Sequence, residues 1–150
     1  MANRRVHRAV GAVAGGVLAL ALSRGQPTFH RIIELIGGAI AGLFSGLLPD
    51  IFEPPDSPNH RRLIHGALPN AVLIAFFARR LRPCQSSLRS RADHQAALAK
   101  QAQTRVSKAW HLSLEFFCRL LSGAAAGALA GYGSHLALDV FTPRSLPPIA

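Results

Sequence analysis

The chain has 150 residues, enough for one domain with a real core, and only 16% of them are charged, against about 25% in soluble domains. Its 17 basic and 7 acidic residues give a net charge of +10, which points toward nucleic acid, anionic lipid or membrane-flanking loops. Two cysteines 34 positions apart, Cys84 and Cys118, exclude a disulfide framework and a cysteine-based zinc finger.

Four apolar stretches follow in chain order: Ala9 to Ser23, Leu35 to Pro49, Leu63 to Ala78 and Leu120 to Ser134. The last continues a helical pattern that begins near Trp110. Each is about 15 residues, shorter than the ~20 that cross a bilayer, so each alone also reads as the core helix of a soluble bundle. Four in one small chain, separated by nearly all the charges, favour membrane helices lengthened by flanking turns. No stretch alternates with period two. The expected fold is therefore all-α, a four-helix membrane bundle forming one domain over residues 1–150. The first stretch has a second reading. Arg4 and Arg5, an apolar run and Ala19-Leu20-Ala21 also resemble a cleaved secretory signal.

A four-residue period runs through three of the stretches. His7, Gly11 and Gly15 are in step, as are Gly38, Gly42, Gly46 and Asp50, and then Gly123, Gly127, Gly131, His135 and Asp139. Residues four apart share a helix face. Glycines on such a face let backbones approach closely, the small-xxx-small packing of membrane helices. With 13 glycines in the chain some coincidence is expected. Three ladders that each end in a histidine or aspartate nevertheless predict contact seams, and the first predicts that the N-terminal helix is retained.

If the helices cross alternately, the polar ends share one end of the bundle. His7 opens the first helix, Asp50 follows the second, His60 and His65 open the third, and His135 and Asp139 close the fourth. The connection 48-LPDIFEPPDSPNHRRLIHG-66 adds Glu53 and Asp56, and its four prolines forbid a continuous helix. Imidazoles with carboxylates are the ligand set of a divalent ion, zinc first, with manganese or iron as alternatives. Such groups near an apolar bundle end are costly unless paired or metal-bound. Plainer readings stand beside this one. His135 and Asp139 also fit a helix-terminal hydrogen bond, Asp50 a turn, His60 and His65 a head-group interface, and His7, Glu53 and Asp56 a solvated surface. His30, His94 and His111 lie outside the motifs and read as structural or exposed.

The stretch 79–108 carries eight basic residues against Asp93 alone. It reads as a basic loop, with a short surface helix from Ala92 to Val106. No aromatic residue interleaves those charges, so a nucleic-acid stacking platform is absent and membrane lipid is the favoured partner. Counting basic residues on the two sides puts this loop in the cytoplasm and the histidine end outside.

These motifs resemble the YdjM-like inner-membrane metal-dependent hydrolases of bacteria. That family shows an early histidine, a Leu-Pro-Asp-Ile-Asp loop, His-Arg-Gly-x-Thr-His, and Gly-Tyr-x-Ser-His-x-x-x-Asp-x-x-Thr-Pro. The corresponding residues are His7, 48-LPDIFEP-54, 60-HRRLIH-65 and 131-GYGSHLALDVFTP-143. The resemblance implies a multi-pass protein of the bacterial inner membrane that hydrolyses an undefined substrate with a bound metal. Three positions depart from the pattern: Phe52 replaces the second aspartate, Arg62 the glycine and Ile64 the threonine.

The ligand set is then His7, Asp50, His60, His65, His135 and Asp139. Glu53 is the candidate general base, in place of the carboxylate missing at Phe52, and Arg61 the partner for an anionic group such as a phosphate. Arg61 and Arg62 equally suit lipid head groups. Two functions of different class follow: a membrane hydrolase acting on a phosphoester of lipid-like character, or a metal-binding membrane protein without hydrolysis, which Phe52 favours. A third is a basic membrane-packing protein whose polar ends are only structural.

Overall fold

The computed structural model describes residues 4–52 and 67–140, with the side chains of residues 4, 50, 52, 67–69, 139 and 140 outside that description. The described residues are helix and turn, with no strand among them. Four long helices, α1 (Arg4–Leu22), α2 (Thr28–Ser45), α4 (Ala67–Gln101) and α5 (Arg105–Val140), are joined by a short α3 (Leu48–Phe52).

Local chemistry sets the ends. α1 closes where the Ser23 hydroxyl donates to the Leu20 carbonyl at 3.1 Å, satisfying one of the carbonyls that a helix C-terminus leaves open. Pro27, with φ of −54°, leads into α2, and its carbonyl accepts from the Arg31 N–H at 3.0 Å. Gly46 closes α2. Thr104 caps α5, its Oγ1 accepting from the Ser107 N–H at 3.1 Å.

The region expected as a basic loop is different. Residues 79–101 continue α4 without a break, through Pro83, and the separate helix over 92–106 is not formed, because a turn at 102–104 interrupts it. Pro83 removes only the N–H that would bond the Arg79 carbonyl, and both residues are exposed. Beyond it, alanine, leucine, glutamine, arginine and lysine carry the helix by propensity. The third helix is thus a 35-residue rod antiparallel to α5.

α1, α2 and α5 pack as a tight trio, and α4 packs principally on α5. α2 and α5 run parallel, with α1 opposed to both. A Cβ on Gly15 would overlap the Gly38 carbonyl and stand 3.0 Å from the Gly127 Cα, and one on Gly127 would overlap Gly38 in turn. One turn on, Gly11 abuts the Gly42 carbonyl, and so does Gly131. These contacts step through the bundle in layers: Gly15, Gly38 and Gly127, then Gly11, Gly42 and Gly131.

Burial is inverted relative to a water-soluble bundle. The inner face of α2 holds Glu34, Gly37, Gly38, Gly42 and Ser45, with Ile33 the one large apolar residue. Its outer face exposes Phe29, Ile32, Ile36, Ile40 and Phe44. Val13 and Val17 on α1, Phe76 and Phe77 on α4, and Phe116 and Phe117 on α5 are exposed as well. Contiguous apolar surface on this scale marks contact with lipid or protein. Two helices are long and apolar enough to cross a membrane among the described residues, α1 over Arg5–Leu22 and α5 within Arg105–Leu138. Four such helices were expected. α2 carries His30, Arg31 and Glu34 near its start, and α4 is charged along its second half, which lowers the hydropathy of both.

Candidate functional site

The layered packing ends at His7, Gly46 and His135. The step of four that takes Gly38 to Gly42 and Gly46 takes Gly127 to Gly131 and His135, and Gly15 to Gly11 and His7. A Cβ on Gly46 would stand 2.9 Å from the His7 carbonyl oxygen. Both histidines are buried, at 2% and 0% exposure. Their rings stack with centroids 4.1 Å apart and planes 27° from parallel. His135 Nδ1 lies 2.8 Å from the Gly46 carbonyl oxygen.

That bond fixes a proton. A carbonyl only accepts, so Nδ1 carries the hydrogen, and in the neutral ring the lone pair is on Nε2. The same arrangement, one ring N–H held by a backbone carbonyl, orients histidines that ligate metals through the other nitrogen. Gly46 also sits at the C-terminus of α2, whose partial negative charge favours a cation nearby. Ser45 packs beside it, its hydroxyl 3.4 Å from both the Gly42 and Gly127 carbonyls. On the α4 side, the Tyr132 hydroxyl donates to Asn70 Oδ1.

Of the six expected ligands, the structure brings His7 and His135 together. Asp50 lies in α3 and Asp139 in the last turn of α5, with side chains outside the described residues. Glu53, His60, Arg61 and His65 also fall outside them. Among the described residues, no three His, Cys, Asp or Glu side chains converge on a possible metal position. His94 is exposed, and His111 Nδ1 meets Gln95 Oε1 at 2.7 Å.

A second polar cluster, unforeseen in the sequence, lies farther along the bundle. Glu34 is fully buried and receives a two-point contact from Arg89, Nε to Oε1 at 2.8 Å and Nη2 to Oε2 at 2.6 Å. Arg89 Nη2 also donates to the Leu22 carbonyl at 3.2 Å, so one guanidinium ties α4 to α2 and to the end of α1. Arg119, 1% exposed, bonds Glu115 at 3.0 Å and Asp93 at 2.8 Å. His30 Nε2 lies 3.3 Å from Glu115 Oε1. Gln85 donates to the Ser122 carbonyl at 3.0 Å. Two signals in the sequence mark this cluster: a lone carboxylate one position before an uncharged run, and a lone arginine in the apolar part of the fourth helix.

No family model, no curated protein and no solved structure matches this chain.

Proposed function

We propose that this chain is a metal-dependent hydrolase embedded in the bacterial inner membrane, a multi-pass bundle packed on glycine ladders with its metal site at one end. The observation that carries the reading is the buried His7–His135 pair, with the Gly46 carbonyl holding the Nδ1 proton of His135. The two rings stand side by side with centroids 4.1 Å apart; two imidazoles aimed at one tetrahedral ion have centroids about 5 Å apart, so holding an ion takes an opening of about 1 Å. The inverted burial supports the membrane part, because lipid accepts large apolar side chains outside and leaves small and paired polar groups inside.

The next step of four in the two ladders names Asp50 and Asp139. With His60 and His65 they complete the proposed ligand set for zinc, or for manganese or iron in its place. Held there, a divalent ion would lower the pKa of a water so that hydroxide is available at neutral pH. Arg61 holds the anionic group of the substrate, a phosphoester in this reading. Glu53 takes a proton from the attacking water. The water oxygen bonds to phosphorus, the ester P–O bond breaks, and the departing alkoxide takes the proton that Glu53 removed from the water.

Metal analysis of detergent-purified protein tests the site. About one or two ions per chain are expected, in keeping with one shared or two bridged sites, and His7→Ala or His135→Ala should remove most of them. Metal-free wild-type protein would end the reading. Phe52, in place of the family's second aspartate, favours the alternative of a metal-binding membrane protein without hydrolysis. Metal retained without metal-dependent turnover of any phosphoester in a panel decides for that alternative.

A further inference from the structure

An apolar groove of about 460 Å³ runs between α4 and α5. Leu73, Phe77 and Leu81 form one wall, and Ala125 and Leu129 the other. It spans Leu73 to Cys84 along α4, about 16 Å at 1.5 Å per residue. That matches one leaflet of a hydrocarbon core about 30 Å thick. Its near end is closed by Leu48 and Tyr132. Tyr132 is one helical turn before His135, and Leu48 is two residues after Gly46, so this end of the groove lies at the histidine end of the bundle.

From this placement we infer that the groove holds the acyl chain of a lipid whose phosphoester lies at the His7–His135 end. The inference rests on the hydrolase reading and assigns its substrate class. The occupant follows from the surroundings. Exposed Val72, Phe76 and Phe77 flank the groove, and α5, which walls it, is long and apolar enough to cross a membrane. The Tyr132 hydroxyl is engaged by Asn70, and the Arg80 guanidinium lies over the Phe76 ring, 5.4 Å from its centroid. An unsubstituted chain suits walls of this kind, and a headgroup does not. The alanines of α5 leave the space open; a large side chain there fills it.

The test uses dioleoyl phosphatidic acid carrying a photoreactive diazirine on one chain, in nanodiscs, with full-length protein. Labelling is expected to concentrate on peptides covering residues 73–84 and 125–132, and to fall about tenfold or more in Ala125→Trp, since losing contact with two methylenes already corresponds to that factor. Ala128→Trp, at an exposed position, guards against a folding defect and should act in the same direction. The ratio of dioleoyl phosphatidic acid hydrolysis to p-nitrophenyl phosphate hydrolysis should fall by a similar factor, while Val13→Trp on the outer face of α1 leaves it unchanged. Labelling spread evenly over α1, α2 and α4, and unmoved by either variant, overturns the inference. So does a doubled mass with cross-links between the α4–α5 faces of two copies. Groove labelling with no metal in the protein leaves the lipid site standing and removes the hydrolase.

Discussion

His7 and His135 meet ring on ring between helices whose backbones touch, whereas Glu34 meets Arg89 through a long side chain reaching from a helix that packs mainly on α5. Both clusters are buried and both lie along the same layered packing: one step from the Gly15, Gly38 and Gly127 layer in the other direction comes Gly123 against the Glu34 backbone. The difference is in how charge is handled. At the ion-pair end a two-point guanidinium–carboxylate contact neutralises a fully enclosed carboxylate. At the histidine end the paired groups are stacked rings, one of them, His135, held by a backbone carbonyl. The first arrangement holds helices together; the second sets two imidazoles side by side where three helices meet. Burial alone does not distinguish a clamp from a site, and the chemistry of the partner does.

The largest expected effect breaks the clamp. Glu34→Leu leaves Arg89, whose side chain is 18% exposed, without its carboxylate and should cost about 2–4 kcal/mol, somewhat less than a fully enclosed pair, while Glu34→Leu with Arg89→Met should recover most of it, as replaced buried pairs do. Unfolding free energies in detergent measure both, and a single variant no worse than the double would show that the pair carries no buried charge. Next, Gly127→Val drives a side chain into the Gly38 backbone and should cost about 1–3 kcal/mol, the usual range for overpacking. A smaller effect of opposite sign sharpens the contrast within the same helix. A Cβ on Gly133 meets nothing within 4 Å, so Gly133→Ala should stabilise by about 0.5–1 kcal/mol from helix propensity. The smallest is His94→Ala, exposed on α4: thermal melts should shift by no more than about 0.5 kcal/mol equivalent, with bound metal unaltered.

The parts of this fold that were legible share one property: they repeat. Glycines every four residues announced which faces of α1, α2 and α5 would meet, and the same spacing carried His7 and His135 to a common layer. Long-range charge pairing leaves no such period. Glu34 and Arg89 are 55 residues apart, and Arg89 sits among basic residues that read as a solvated loop. Pro83 does not end the helix, because on an exposed helix face proline costs one backbone hydrogen bond and need not stop the rod. Arg119 was hidden differently, as one charge inside an apolar pattern whose partner Asp93 was expected in a separate surface helix over 92–106. Once α4 is a helix through Gln101, Asp93 is one turn beyond Arg89 and the second ion pair follows.

The Glu34–Arg89 pair also sets an order of events during synthesis. α1 and α2 can close on each other as soon as both have emerged, because their contact is local and made of backbone. Glu34 then waits for the 55 residues that separate it from Arg89, about 3–11 s at ordinary elongation rates of 5–20 residues per second. Throughout that interval the hairpin carries a carboxylate with no guanidinium to meet it. The α1–α2 unit is therefore a provisional structure, left open at the point where a later helix must arrive, and the Leu22 carbonyl waits there for the same side chain.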